Sequence, residues 1–106
     1  MSDVVFRYGL FGVGRCGCVH GEILIAQGQR LVAIGDENPG ALARAIDRLG
    51  VQGAATFTDA SAMAKLGTID AVVISSHTKD HSRDAEPFVR VGIPVYLEKP
   101  LSADLS

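Results

Sequence analysis

Short apolar runs alternate with amphipathic segments along the chain. The apolar runs cover residues 4–10, 31–34, 54–57, 71–74 and 93–97. Residues 71–74 are apolar without alternation, which is typical of a strand buried on both faces. Five strands alternating with helices predict a parallel sheet covered by helices on both sides. The expected fold is therefore α/β, a single Rossmann-type domain with a doubly wound sheet.

The segments between these runs have apolar residues at helical spacing. Asn38 and Pro39 are typical of a helix start, as N-cap and first helical residue. Pro87 lies inside the last predicted helix and predicts either a kink or a later start. The predicted helices cover residues 15–26, 39–49, a short segment capped at Thr58 or Asp59 and ending near 66, and 80–91.

Length and charge narrow the class of protein. With 106 residues, 47% of them hydrophobic, the chain is expected to form one domain. Its net charge is −2 and no basic stripe is present, so nucleic acid is not an expected partner. The N-terminus lacks the features of a signal peptide, and no apolar stretch approaches membrane-spanning length. We therefore expect a cytoplasmic protein without a membrane partner.

The two cysteines form the pattern C-x-C-x-H, with Cys16, Cys18 and His20. This pattern lies in the first predicted helix, where residues two apart do not share a face. Zinc normally requires three or four convergent ligands. No metal site is predicted.

The first strand leads into the glycine pattern G-x-G-x-x-G, which opens the first helix. Gly12 permits a tight turn, Gly14 lets the backbone approach a pyrophosphate, and Gly17 lets the helix pack on the strand. The helix N-terminus then favours the phosphate charge. The predicted cofactor-binding residues of this loop are Gly12, Val13, Gly14, Arg15, Cys16 and Gly17.

Asp36 lies nineteen positions after Gly17, where the second strand is predicted to end. A carboxylate there accepts hydrogen bonds from an adenosine ribose. Asp36, with Glu37 beside it, would repel a 2′-phosphate, so NAD is favoured over NADP as the cofactor. The alternative is that the glycines form an ordinary turn and Asp36 caps a helix.

Polar residues also follow the fourth and fifth strands, at the edge where open α/β sheets bind ligands. Residues 75–81 are dense in hydrogen-bond donors, although a solvated loop would explain them too. Lys99 is placed to donate to a substrate hydroxyl, and a surface lysine is the simpler interpretation from sequence alone. The further candidate cofactor-binding residues are Ser76, His77, His81, Glu98 and Lys99.

Three segments together resemble the Gfo/Idh/MocA oxidoreductases. Residues 9–20 resemble the family's opening G-x-x-G-x-G-R-x-G-x-x-H, residues 70–74 its D-A-V-x-I strand, and residues 92–100 its A-G-x-x-V-x-x-E-K-P segment. The resemblance covers essentially the whole chain. It implies a Rossmann domain that binds NAD(P) and hydride transfer at a secondary alcohol of a sugar or polyol.

The resemblance also implies individual roles. Lys99 would be the catalytic residue at the substrate and nicotinamide end, with a cis peptide bond before Pro100, and His81 would lie beside the cofactor. His77 departs from the family pattern, because many members have proline there. Members also carry a second, C-terminal domain with a catalytic Asp/His pair, which is absent here, and full-length members are expected to be homo-oligomers.

Residues 102–106 look like an N-cap and the first turn of a helix. We therefore expect residues 1–106 to be the NAD(P)-binding domain of a longer enzyme, truncated and not catalytically competent alone. The alternatives are a stand-alone regulatory module that senses NAD(H), and a Rossmann domain that binds another nucleotide or none.

Overall fold

The computed structural model describes residues 5–76 and 80–97, without the side chains of Arg15 and Cys16. Strands and helices alternate in the predicted order. The strands are β1 (Arg7–Phe11), β2 (Arg30–Gly35), β3 (Ala55–Phe57), β4 (Ala71–Ile74) and β5 (Val95–Leu97). The helices are α1 (Arg15–Ala26), α2 (Pro39–Leu49), α3 (Ala60–Ala64) and α4 (His81–Arg90).

All five strands are parallel, in the order β3-β2-β1-β4-β5. From central β1 the chain moves outward through β2 and β3, then crosses to the other side of β1 to form β4 and β5. The direction of winding therefore reverses between β1 and β4. In open α/β sheets the loops at such a reversal separate and leave a crevice at the carboxyl ends of the strands.

The sheet is buried between two apolar layers. Leu10 contributes to one layer, which also contains apolar side chains of α1 and α2. Phe11, the next residue, contributes to the other, with Phe88 and side chains of α3. Successive strand side chains point to opposite faces, so a parallel sheet covered on both sides requires apolar residues at consecutive positions. This explains the uninterrupted apolar run of β4, which is buried throughout.

The caps follow the local sequence. The Asn38 side chain accepts hydrogen bonds from the backbone N–H groups of Gly40, at 2.8 Å, and Ala41, at 3.3 Å. Asp59 caps α3 by accepting from Ala62 at 3.1 Å. Both side chains satisfy donors that a helix start leaves without partners. The predicted starts of α2 and α3 are confirmed.

Two predicted boundaries are wrong. Helix α3 ends at Ala64, because Lys65 and Leu66 continue it only with i→i−3 hydrogen bonds. Helix α4 has Asp80 as N-cap and Val91 as C-cap, which agrees with the predicted span, and it continues through Pro87. Strand β5 begins at Val95, because the N–H of Ile93 bonds to the carbonyl of Phe88 and so closes the end of α4.

No helix in the described ranges is both long and apolar enough to cross a membrane.

Arg7 and Asp70 join the starts of β1 and β4. The Arg7 guanidinium donates to both oxygens of Asp70, at 3.0 and 3.1 Å, and the Arg7 backbone N–H donates at 2.8 Å. The side-chain hydrogen bond from Arg7 is the main cause that lowers the pKa of Asp70 below its ordinary value of 3.8. Both side chains remain partly exposed, so solvent screens the pair.

This pair predicts a pH-dependent stability. Because the folded pKa of Asp70 is depressed, its contribution is present above pH 3.8 and is lost as the pH falls through the lowered pKa. Asp70→Asn is therefore expected to lower the urea midpoint at pH 7, by an amount that shrinks as the pH is taken below 3.8. Asp47→Asn, at an exposed position of α2, is the control. If the urea midpoint of Asp70→Asn lies below that of the parent by the same amount throughout the acid range, this role is contradicted.

Candidate functional site

The glycine-rich loop leaves β1 and packs directly against the backbone that follows β4. Gly12 has φ +95°, and a Cβ built on it would lie 2.4 Å from the backbone nitrogen of Ser76 and 2.6 Å from the carbonyl carbon of Ser75. Backbone atoms at that distance cannot rotate away as a flexible side chain would. Only glycine therefore fits at the point where the β1 and β4 loops meet.

Gly17 brings the start of α1 against the same loop. A Cβ on Gly17 would lie 1.9 Å from the carbonyl oxygen of Gly12. The close approach holds the first turn of α1 over the carboxyl end of β1. The role predicted for this glycine, close packing of helix on strand, agrees with the geometry.

Gly14 is the N-cap of α1 and differs from the other two glycines. It is exposed, and a Cβ on it would meet no atom within 4 Å. Glycine has no side chain to cap the helix, so the N–H groups of the first turn have no side-chain acceptor among the described residues. A helix start of this kind attracts an anion through its N–H groups and its dipole.

Asp36 joins this loop to the start of α2. Its Oδ2 accepts from the backbone N–H of Val13 and its Oδ1 from that of Asn38, both at 2.8 Å. Each carboxylate oxygen can accept a second hydrogen bond. The half-buried Asp36 therefore fixes the glycine loop and keeps acceptor capacity for a ligand at the end of β2.

His81 organises the loop after β4. It is 8% exposed, and its Nε2 lies 2.8 Å from the carbonyl oxygen of Ser76. A carbonyl only accepts, so Nε2 carries the hydrogen and donates it. The buried hydroxyls of Ser75 and Ser76 have no hydrogen-bond partner within the described residues. The structure thus gives His81 a positioning contact and leaves two hydroxyls beside the β1–β4 crevice.

Sequence reasoning missed Arg83, which links α4 to the end of β2. Its guanidinium lies 2.9 Å from the Glu37 carboxylate, 3.2 Å from Asp84 and 3.6 Å from Asp80. The side-chain hydrogen bond to Asp84 is the main cause that raises the pKa of Arg83. Asp80 and Asp84, at i−3 and i+1, are a weak local signal that Arg83 forms ion pairs. Glu37 lies 46 positions earlier, so its contact with Arg83 has no signal in the local sequence.

Cys18 packs inside the fold. Cys18 is buried and its Sγ lies 3.4 Å from the carbonyl oxygen of Val13. Burial raises the pKa of the Cys18 thiol, which disfavours the thiolate that metals bind.

Some predicted site residues lie outside the described part of the chain. His77, Glu98, Lys99 and the Lys99–Pro100 peptide bond fall there, as do the side chains of Arg15 and Cys16. Their roles stay predictions. The described residues nevertheless fit a dinucleotide: the surface at Gly14 has room for a phosphate, and the free acceptor capacity of Asp36 suits ribose hydroxyls.

The chain is similar to several proteins that are named as dehydrogenases. The chain is 39% identical over 99 residues to inositol 2-dehydrogenase of Rhizobium meliloti, covering 92% of this chain and 29% of that protein. The structure of scyllo-inositol dehydrogenase from Lactobacillus casei with NAD(H) and scyllo-inositol superposes with a TM-score of 0.75 at 31% identity, covering 89% of this chain and 28% of the other.

A third relative has a different kind of molecule bound. The WlbA dehydrogenase from Bordetella pertussis, in complex with NADH and UDP-GlcNAcA, superposes with a TM-score of 0.79 at 31% identity, over 89% of this chain and 28% of that one. The chain thus spans less than a third of the length of these relatives.

The family described as oxidoreductases with an NAD-binding Rossmann fold matches residues 6–106. The match includes the glycine loop, Asp36 and the polar loop after β4, which the fold brings to one edge of the sheet. This chain belongs to the Gfo/Idh/MocA oxidoreductase family and forms its NAD-binding Rossmann domain.

Proposed function

We propose that this chain is the cofactor-binding part of a dehydrogenase that uses NAD in preference to NADP. The substrate class we assign is an inositol-like polyol, with hydride transfer at a ring secondary alcohol. The observation that carries the cofactor proposal is the convergence of the glycine loop, the open N-terminus of α1 and Asp36 at one edge. The four curated relatives, each named as an inositol 2-dehydrogenase, support the substrate class.

The residues at the adenosine half have distinct tasks. The first turn of α1 would bind the pyrophosphate through its backbone N–H groups, with Gly14 leaving room for close approach. Asp36 would accept from the ribose hydroxyls with the lone pairs that Val13 and Asn38 leave free. Because Asp36 and Glu37 are both negative, they would disfavour a 2′-phosphate at the same place.

The residues after β4 and β5 would form the nicotinamide half. Ser76 and His77 would contact the cofactor, and His81 would hold the Ser76 carbonyl in place while facing the same loop. Glu98 and Lys99 would lie at the nicotinamide end, where Lys99 would donate to the substrate hydroxyl. The nicotinamide, when bound, supplies the hydride acceptor.

Completion of the reaction needs a base to take the hydroxyl proton. We propose that it is a histidine of a second, C-terminal part, as the family resemblance implies, and that the complete enzyme is a homo-oligomer. The 106-residue chain by itself would then bind NAD(H) and turn over no polyol. Measurable oxidation of inositol by this chain alone would overturn that proposal.

Asp36→Asn tests the cofactor preference. Loss of the charge is expected to weaken NADH binding about 10- to 100-fold, because a charge-assisted hydrogen bond contributes about 1.5–3 kcal/mol. NADPH binding should weaken less or improve, since a repulsive charge is removed. Isothermal titration of the parent and the variant with each nucleotide measures the dissociation constants for NADH and NADPH.

Asp47→Asn removes the same charge at an exposed position of α2 and is the matched control. Its two affinities should equal those of the parent. If Asp36→Asn weakens NADH and NADPH by the same factor, Asp36 does not set the preference. If the folded parent binds neither nucleotide, the cofactor proposal itself fails.

A further inference from the structure

Arg83 is tethered to three carboxylates that differ in how firmly they hold it. The Asp84 side chain is 5% exposed and accepts from Nε, on the α4 side of the guanidinium. Glu37 is 60% exposed and accepts from a terminal nitrogen, on the side of β2. Exposed ion pairs contribute little to stability, whereas a buried carboxylate that loses its cation is costly. Asp84 is therefore the anchor of Arg83, and Glu37 is the contact that can be released.

The end of the Arg83 guanidinium that pairs with Glu37 would face the adenosine end of the site. Glu37 directly follows Asp36, the residue predicted to bind the ribose. Glu37 and Arg83 also line one cavity of about 200 Å³ at this edge of the sheet. If Glu37 lost its charge, Asp84 would keep the guanidinium in place, and the terminal N–H groups that Glu37 now holds would be free to donate to another anion at this edge.

The charges at this edge explain why Arg83 does not attract phosphate in the parent protein. One positive guanidinium faces Glu37, Asp80 and Asp84, with Asp36 close by in sequence. The local sum is negative, and Asp84 and Glu37 each already accept a hydrogen bond from Arg83. Arginine is otherwise well suited to phosphate, because its planar fork donates two parallel hydrogen bonds.

We propose that Arg83 is a specificity-determining residue whose phosphate-binding capacity is masked by Glu37, so that the Glu37–Arg83 pair reinforces the preference for NAD over NADP. The proposal rests on the proposed function, since it concerns the same cofactor. It assigns the preference to two residues acting together: Glu37 repels the 2′-phosphate and also withholds the cation that would bind it.

A double-mutant cycle tests this coupling. The parent, Glu37→Gln, Arg83→Met and the double variant are titrated with NADH, and NADPH affinity is measured by displacement of bound NADH. Glu37→Gln is expected to tighten NADPH binding about ten-fold. Arg83→Met should change NADPH binding less than about three-fold in the parent but weaken it about ten-fold in the Glu37→Gln background. NADH affinity should stay within about three-fold throughout.

Glu86 and Arg90 provide the matched control, because they form an exposed i, i+4 ion pair on the same helix. Glu86→Gln and Arg90→Met, alone and together, should leave both affinities unchanged. The inference is overturned if Arg83→Met changes NADPH affinity by the same factor in both backgrounds. Absence of NADH binding to the folded parent would instead refute the proposed function.

Circular dichroism establishes that each variant is folded. If Arg83→Met does not fold, Arg83→Lys replaces it, which keeps the charge and removes the planar fork. In the Arg83→Lys background, the gain in NADPH affinity from Glu37→Gln should shrink from about ten-fold to about three-fold or less. An undiminished gain would overturn the role of the guanidinium.

Discussion

Gly17→Ala is expected to destabilise the chain by about 3 kcal/mol and to abolish NADH binding. The added Cβ would lie 1.9 Å from the Gly12 carbonyl oxygen, so α1 and the glycine loop must separate. In an unhindered helix the same substitution stabilises by about 1 kcal/mol, because alanine loses less backbone entropy than glycine. The sign of the effect therefore reports the packing. Urea unfolding and NADH titration measure the two losses.

Gly53→Ala is the control for this substitution. A Cβ on Gly53 would meet no atom within 4 Å, and the position is exposed. Its unfolding free energy should stay within about 0.5 kcal/mol of the parent, with NADH affinity unchanged. A Gly17→Ala variant as stable as the Gly53→Ala variant would show that the loop and helix are not in the described contact.

Gly14→Ala is expected to separate binding from stability. The added Cβ meets nothing within 4 Å in the chain, and alanine is a weaker N-cap than glycine, so the unfolding free energy should fall by only about 0.5–1 kcal/mol. The same methyl group would occupy the space that a pyrophosphate needs to approach the first turn of α1. Overpacking of about 3 kcal/mol corresponds to a loss of NADH affinity of about 100-fold.

The comparison with Gly17→Ala makes this prediction specific. Both substitutions should impair NADH binding, but Gly17→Ala should lower the urea midpoint much more than Gly14→Ala. If Gly14→Ala binds NADH as the parent does, the pyrophosphate does not lie at the N-terminus of α1. The cofactor would then need a different position at this edge.

Much of the architecture was predictable because its causes are local. The run of four apolar residues at Ala71 follows from burial of β4 on both faces. Asn38 followed by Pro39 predicted the start of α2, since the cap and the ring act within one turn. Where several local signals compete, the boundaries were wrong: Ile93 is apolar and strand-like, yet its N–H completes α4.

The candidate site also has features that the sequence predicts and features that it does not. The spacing of Gly12, Gly14 and Gly17 and the position of Asp36 are sequence properties, and the fold brings them together as expected. The contact that buries His81 on the Ser76 carbonyl was not expected, because it depends on how α4 leaves the end of β4. His77, Glu98 and Lys99 remain predictions.

By itself the sequence determined the α/β class, the order of the elements and the cofactor motif, since periodicity, capping and glycine spacing act over a few residues. Only the tertiary structure decided which distant residues meet. The order β3-β2-β1-β4-β5 places the loop after β4 against Gly12, and the packing of α4 carries Arg83 to Glu37. These contacts join positions 64 and 46 residues apart, and their geometry is set by burial of both faces of the sheet.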